Sequence, residues 1–380
     1  MPETVIKSYK FKIRRPPRAV VARFEETLGL CRELYNAALQ ERRDAWRLNR
    51  VSISYIDQQN QLPETKNIRE DLKDVYSQVL LDALRRLDKT FNSFFGRVKK
   101  GEKAGFPRFK GASRFDSFCF PQSGFKLVGD KLQLSKIGTM RIRLSRQIEG
   151  KIKTCTIKRE IDGWFVVFVV ESEKELFEKT GKTCGVDVGL ENFATLSNGE
   201  KIENPRVLRQ SERRLKTAQR SVSRKKRGGK NRKKAVLLLR KQHLKIKRQR
   251  LDFLHKTARQ LVCDYDEIAV EDLNILGMVK NHHLAKSIMD ASWATFLTIL
   301  ECKAENAGKR VWKVSARNTS QNCSNCGEKA QKSLSQRKHK CFSCGLELHR
   351  DQNAAINIQA RAVPLLMSQV TAANEAGISR

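Results

Sequence analysis

Long apolar runs are missing from this 380-residue chain. The longest, Trp164 to Val170, has seven residues, against the ~20 that a membrane-spanning helix needs. The N-terminus, MPETVIKSYKFKIRRPPR, has no apolar core of the secretory-signal kind. Acidic residues are scarce beside basic ones: 41 Asp+Glu against 76 Lys+Arg leave a formal charge of +35. Such an excess argues against an ordinary metabolic enzyme and calls for a polyanionic partner, nucleic acid rather than a membrane. No internal repeat is visible. The expectation is a cytoplasmic, nucleoid-associated protein of two or three domains, with no membrane contact.

In a reducing compartment the ten cysteines are expected to bind metal rather than to pair. Six of them (Cys31, Cys119, Cys155, Cys184, Cys263, Cys302) are scattered and read as small buried hydrophobes. The other four form two C-x2-C pairs, Cys323/Cys326 and Cys341/Cys344, separated by fourteen residues. Two such knuckles converging on one ion make a closed, structural Zn²⁺ site. Gly327 and Gly345 follow the pairs and suit the tight turns that aim amides at sulfur. His339 and His349 flank the cluster, but four thiolates already fill a tetrahedral shell.

Residues 1–18 read as an extended segment ending at Pro16-Pro17. A helix from about Ala19 carries Phe24, Leu28, Cys31 and Tyr35 at helical steps. A second, ending near Val98, carries the stripe Leu80, Leu84, Leu87, Phe91, Phe94, Val98. From Gly101 the composition turns to glycine and β-formers: FDSFCF, KLQL, MRIRL, KTCTI and WFVVFVV predict a small barrel or sandwich. From Thr183 strands and helices alternate. TCGVDVGL and NFATLSNGE predict a hairpin turned at Ser197-Asn198-Gly199. Helices follow at 206–225 and 231–263, then a strand at DEIAVEDL, a helix over 291–306, a strand at RVWKVS, and a helix from about Asp351. The last fifteen or so residues carry little signal.

Three carboxylates stand out. Asp187 lies inside the apolar strand CGVDVGL, where an acid is costly unless it is paired or coordinates a metal. Glu271 ends the apolar stretch Ile268-Ala-Val, with Asp272 after it, and Asp351 opens a helix beyond the cysteines. Two strand ends and a helix start can supply the acids of a two-metal phosphodiesterase site. The bland alternatives are a helix N-cap for Asp351, an exposed charge for Glu271 and an arginine partner for Asp187.

GVDVGL, VEDLN, TSQNCSNCG…CFSCG and HRDQNAAINI, with the stretch DASWATFLTILECKAENAGKRVWKV, resemble the TnpB (OrfB) proteins of bacterial and archaeal insertion sequences. The match is specific over about 183–358 and looser toward the N-terminus. One departure is Ala316, where the family pattern leads one to expect proline. The resemblance implies an RNA-guided DNA endonuclease related to type V CRISPR effectors. It would cut DNA matched to a guide RNA beside a short adjacent motif. It implies a multidomain α+β fold: a wedge β-barrel (1–18 and 101–180) with an inserted helical recognition module (19–100). A ribonuclease H-like (RuvC) α/β nuclease domain (181–314 and 350–380) would follow, interrupted by a zinc ribbon (315–349). Asp187, Glu271 and Asp351 would then be catalytic and hold two Mg²⁺ ions. Cys323, Cys326, Cys341 and Cys344 would hold Zn²⁺, and the partners would be a guide RNA from the transposon end and double-stranded target DNA.

Residues 206–250 hold twenty Lys+Arg and one acid, a net +19. Like charges at this density repel unless a polyanion neutralises them. The hairpin 206–263 is therefore expected to lie along guide RNA or the guide–target duplex and to read phosphate and shape. The residues expected to touch it are Arg224, Lys225, Lys226, Arg227, Lys230, Arg232, Lys233 and Lys234. Two other functions fit parts of the pattern: a nuclease-inactive RNA-guided repressor and a DDE-type transposase. Single-strand transposition needs a spaced His-hydrophobic-His pair, and the only close histidines, His282-His283, are adjacent.

Overall fold

The computed structural model describes residues 4–332 and 336–362. The chain divides into two compact units, Met1–Glu173 and Lys174–Arg380. The low-signal C-terminal tail, and with it most of the expected 350–380 segment, lies outside the described residues.

In the first unit β1 (Thr4–Ile13) precedes four α-helices. These are α1 (Arg18–Asn49), α2 (Tyr55–Asn60), α3 (Leu62–Ile68) and α4 (Ser77–Lys99). Six strands follow: β2 (Ser117–Phe120), β3 (Phe125–Val128), β4 (Lys131–Leu134), β5 (Gly138–Arg143), β6 (Lys151–Glu160) and β7 (Gly163–Glu173). The seven strands form one sheet in the order β2-β6-β7-β1-β5-β4-β3. Its two edge strands, β2 and β3, are joined by a connection of only four residues, 121–124, so the sheet is nearly closed on itself. The run Trp164–Val170 belongs to β7, between β6 and β1. That interior position explains why the run is almost continuously apolar.

The helices share one core with the sheet. Phe24 of α1 meets Trp164 and Phe118 at ring separations of 4.7 and 5.9 Å. Leu80, Leu84 and Leu87 of α4 are fully buried, whereas Val98, the last member of the predicted stripe, is 50% exposed. Strand β3 has no counterpart among the strands expected from sequence. It is four residues long, half-exposed and set between two glycines, so it lacks a strong alternation.

The second unit begins with β8 (Thr183–Val188), β9 (Asn192–Leu196) and β10 (Lys201–Glu203). Two long helices, α5 (Val207–Ser223) and α6 (Lys230–Asp264), lead to β11 (Glu267–Asp272). Next come α7 (Ile275–Met278), α8 (His282–Ala291), α9 (Trp293–Asn306) and β12 (Arg310–Ser315). The short strands β13 (Lys338–Lys340) and β14 (Glu347–His349) precede α10, helical over residues 350–362.

The main sheet runs β10-β9-β8-β11-β12, antiparallel through β8 and parallel from β8 to β12. One face is covered by α6 and α9: Phe193 of β9 meets Phe253 and Phe296 edge-on, each at 4.9 Å. The other face carries α10.

Three expectations need correction. The turn at Ser197-Asn198-Gly199 joins β9 to β10, while β8 and β9 are linked through 189–191; Gly199 supplies the positive φ of 91°. Helices α7 and α8 lie where no element was expected. Cys263 and Cys302 are exposed, both near helix C-termini; Cys31, Cys119, Cys155 and Cys184 are buried.

Candidate active site and metal centre

Strand alternation sorts the residues of β8. Cys184 and Val186 enter the core beneath α6 and α9. Thr183, Gly185 and Asp187 therefore face α10. Thr183 Oγ1 accepts a hydrogen bond from Gln359 Nε2 at 2.6 Å. Gly185 is pressed against the helix backbone: a β-carbon there would lie 2.0 Å from the Ala355 carbonyl oxygen and 2.7 Å from the Gln359 nitrogen. Two residues of strand advance about 6.6 Å and four of helix about 6 Å, so 183, 185 and 187 step in register past 359, 355 and 351. Asp187 thus points toward the helix start that carries Asp351.

Strand β11 runs parallel to β8 with Ala269 opposite Gly185 and Val270 opposite Val186. One residue further come Glu271 and Asp187, on neighbouring strands about 4.8 Å apart. Ala269 packs with Ile358 and Ala362 of α10, which puts Glu271 on the same face. Asp272 points the other way and is exposed.

Burial pushes the Asp187 carboxyl well above the usual carboxylate range; the charges of Glu271 and then Asp351 push it further, and Arg350 opposes them. Burial raises Glu271 too, against a hydrogen bond from Thr319 Oγ1 and the charge of Arg361. Asp351 is buried and its Oδ1 accepts from Arg350 Nε at 3.4 Å. Asp187 thus feels the charges of both other acids, although among the described residues the three carboxylates do not close to within 4.8 Å of one another; an all-oxygen set of this kind would suit a hard divalent cation such as Mg²⁺.

The four cysteines meet beside this face. Their sulfurs all lie within 4.8 Å of one another, the one such group of three or more potential ligands among the described residues. Cys323–Cys344 and Cys326–Cys341 are 3.6 and 3.5 Å apart. Tetrahedral Zn–S bonds of ~2.3 Å place sulfurs about 3.8 Å apart, so the donor set and its spacing fit zinc. The two knuckles repeat one turn. Gly327 N donates to Cys323 O at 2.9 Å, and Gly345 N to Cys341 O at 3.0 Å. The Leu346 amide and the Asn325 side chain hold the Cys344 thiol down to about 6, and the Cys344 amide lowers Cys341. Cys326, which the Glu328 amide also lowers, is driven up to about 12 by the adjoining sulfurs. His339 is buried against Lys332, and His349 Nδ1 accepts from the Asp351 amide.

Residues that sequence reasoning missed tie the two centres together. Asn353 is fully buried; its Oδ1 accepts from Ser324 N at 2.9 Å and its Nδ2 donates to Asn322 O at 2.7 Å. Asn357 Nδ2 donates to Thr319 O and Asn322 O, both at 2.8 Å. No sequence signal marks them, because asparagines two and six positions after Asp351 read as ordinary helix residues until their backbone partners are known.

In the hairpin, Asp290 of α8 anchors both helices. It accepts from Leu208 N at 3.1 Å and pairs with Arg250 at 2.8 Å. Arg224, Lys226, Arg227, Lys230, Lys233 and Lys234 are exposed, Lys225 and Arg232 half-buried, and none of the eight forms an ion pair among the described residues.

With this geometry in hand, the relatives are decisive. A protein of Streptomyces pristinaespiralis named "Putative RNA-guided DNA endonuclease" is 34% identical over 95% of this chain and 90% of its own length. InsQ of Escherichia coli K12, with the same descriptive name, is 31% identical over 93% and 92%. The chain belongs to the TnpB (OrfB) family. The OrfB_IS605 family, described as a probable transposase, matches residues 167–282, and the Cas12f1-like TNB domain matches 293–358. A Cas12f1 chain from a complex with sgRNA and target DNA superposes with a TM-score of 0.59 at 14% identity, over 94% of this chain and 99% of that one. The mini-RNA-guided endonuclease CRISPR-Cas_phi3 gives 0.52 at 10% identity, over 95% and 92%. At such identities the likeness is one of fold, an α+β architecture with a nearly closed sheet and a four-cysteine cluster. Among the described residues no helix is long and apolar enough to cross a membrane.

Proposed function

We propose that this TnpB-family chain is an RNA-guided DNA endonuclease of an insertion sequence, cutting DNA matched to its guide RNA beside a short adjacent motif. The observation that carries the reading is the convergence of Asp187, Glu271 and the α10 start on one face of the main sheet, in a chain whose residues 206–250 carry a net +19. The strand order, an antiparallel meander followed by two parallel strands, supports a ribonuclease H-like (RuvC) nuclease over 181–314 and 350–380. The zinc ribbon would be 315–349, the wedge 1–18 with 101–180, and the recognition module 19–100.

Asp187, Glu271 and Asp351 would hold two Mg²⁺ ions. Bound there, the metals would activate water and stabilise the leaving 3′ oxygen. The chain's own part is to hold the carboxylates. Thr319 orients Glu271, and the close approach at Gly185 seats the helix that bears the buried Asp351. The eight hairpin residues would bind guide RNA, derived from the transposon end, or the guide–target duplex.

The test is cleavage of a matched double-stranded target with Mg²⁺ by the guide-loaded protein. Asp187→Ala, Glu271→Ala and Asp351→Ala should keep target binding and lose cleavage by several orders of magnitude. Asp272→Ala should cut normally. Calcium should support binding without efficient cutting. Cutting by Asp187→Ala, or none by wild type with its own RNA and motif, would sink the assignment.

A further inference from the structure

The first unit contains a cavity that the nuclease reading leaves unused. It measures about 860 Å³, within the size range of ligand pockets. It lies between the C-terminal half of α1, residues 50–54, the C-terminal half of α4 and Phe106. Five aromatic side chains line it: Trp46, Phe91, Phe94, Phe95 and Phe106. Phe94 meets Phe95 and Phe106 edge-on at 5.1 and 5.5 Å. Such a cluster is ordinarily sealed as core, yet Trp46 is 54%, Phe95 53% and Phe106 48% exposed. Open rings grouped in this way mark an interaction site.

The cavity is edged by four guanidinium groups, from Arg42, Arg43, Arg47 and Arg50, and Asp88 is the one acid of its lining. Arg43 and Arg50 form no ion pair among the described residues. Arg42 is more than nine-tenths buried, with its side chain 8% exposed. It stacks over Phe91 at 5.2 Å, donates from Nε to Gln58 at 2.9 Å and pairs through Nη1 with Asp88 at 3.1 Å. Its Nη2 is buried without an acceptor among the described residues. Closed off in this way, Nη2 is out of reach of a ligand in the cavity, and the charge that such a ligand meets is that of the exposed Arg43 and Arg50.

Open rings beside unpaired cations point to one chemistry. We infer that this cavity binds an unpaired ribonucleotide of the RNA the protein carries, so the inference rests on the RNA-guided reading. The base stacks among Trp46, Phe94 and Phe95, and the phosphate lies beside Arg43 and Arg50. Stacking tolerates any base, because every base has a π-face. Asp88 selects ribose. Its Oδ2 accepts from Asn92 at 3.0 Å and keeps lone pairs for a 2′-hydroxyl, which deoxyribose lacks. A second copy of this chain is a poor occupant, since it would bring the same arginines face to face.

Trp46 is its own reporter. Trp164 and Trp293 are 8% and 3% exposed, and Trp312 is half-buried with its indole N–H donated to Glu267. Full-length protein freed of nucleic acid is titrated with oligouridylate roughly ten nucleotides long, following tryptophan emission. Saturable quenching is expected, and Trp46→Phe should abolish it. Phe94→Ala, and independently Arg43→Gln with Arg50→Gln, should weaken the titration by about 5- to 100-fold. The arginine pair lies on the surface and keeps the test valid if Phe94→Ala does not fold. Oligodeoxyuridylate should bind at least several-fold more weakly.

Quenching indifferent to these substitutions, or equal with RNA and DNA, overturns the inference. So does quenching by an acidic aromatic peptide but not by RNA. Filter binding of the same oligouridylate separates the two levels. RNA retained with no Trp46 signal refutes the cavity assignment alone, whereas no RNA binding at all refutes the RNA-guided reading.

Discussion

Replacing Gly185 with alanine tests whether the seat of α10 sets the geometry of the candidate site. The new methyl would lie 2.0 Å from the Ala355 carbonyl oxygen and 2.7 Å from the Gln359 nitrogen, both backbone atoms with no rotamer to yield. A comfortable C···O approach is about 3.3 Å, so helix and strand must part by about 1.3 Å. Overpacking of that kind costs roughly 1–3 kcal/mol, enough to lower the melting temperature by a few degrees without unfolding the chain. Asp351 sits one helical turn from that close approach and must move with the helix. Catalytic groups need placement to within about 0.5 Å, and a 1 Å error can cost ~100-fold in rate. Gly185→Ala should therefore keep its zinc, its RNA and its target affinity while single-turnover cleavage falls about 100-fold. Gln359→Ala, which removes only hydrogen bonds to Thr183, should cut nearly as wild type. Wild-type cleavage by Gly185→Ala would show that the helix does not position the chemistry.

Cys326→Ser or Cys341→Ser should release about one zinc per chain, measured by metal analysis, and lower thermal stability, because metal binding and local folding are coupled; a metal-free protein of unchanged stability would refute the structural role. Replacing Lys225, Lys226 and Arg227 with Gln should flatten the dependence of log K on log salt by about 0.7–0.9 for each phosphate no longer neutralised, and an unchanged slope would mean that they face only solvent. The raised carboxyls of Asp187 and Glu271 set the sign of a pH effect. The folded chain holds these protons more tightly than the unfolded one, so in Mg²⁺-free buffer stability should fall as pH rises from the usual carboxylate range through the raised values. Asp187→Asn should flatten that fall and raise the melting temperature at neutral pH while abolishing cleavage. A lower melting temperature for Asp187→Asn would contradict the electrostatic account.

The sequence exposed those features whose cause is local. Helical steps marked the buried faces of α1 and α4, and paired cysteines marked the four-cysteine cluster. An acid inside an apolar strand marked Asp187. What it hid depends on distant partners. The close approach of α10 to Gly185 joins residues about 170 positions apart, so a glycine in a strand reads only as permissive. Thr319 and Asn353 look like ordinary loop and helix residues until Glu271 and the knuckle backbone are brought to them. The α4 stripe is core through Phe91, but beyond it Phe94 lines an open cavity and Val98 is exposed, although both keep the helical spacing.

The position of the cysteine cluster in the chain follows from the same hydrogen bonds. Residues 316–349 separate β12 from α10, and their loops grip both sides of the candidate site. Thr319 bonds Glu271 through its hydroxyl and Asn357 through its carbonyl. Asn322 O receives Asn353 and Asn357 together, one residue before Cys323. The first knuckle thus fixes the helix bearing Asp351 and the strand bearing Glu271 with one short segment. If that segment loosens when the metal leaves, both carboxylates lose their supports at once. Asn353→Ala tests the link without touching a sulfur: zinc should stay bound, while cleavage falls and target binding holds. Zinc-replete Asn353→Ala with wild-type cleavage would reduce the cluster to a fold element independent of the chemistry.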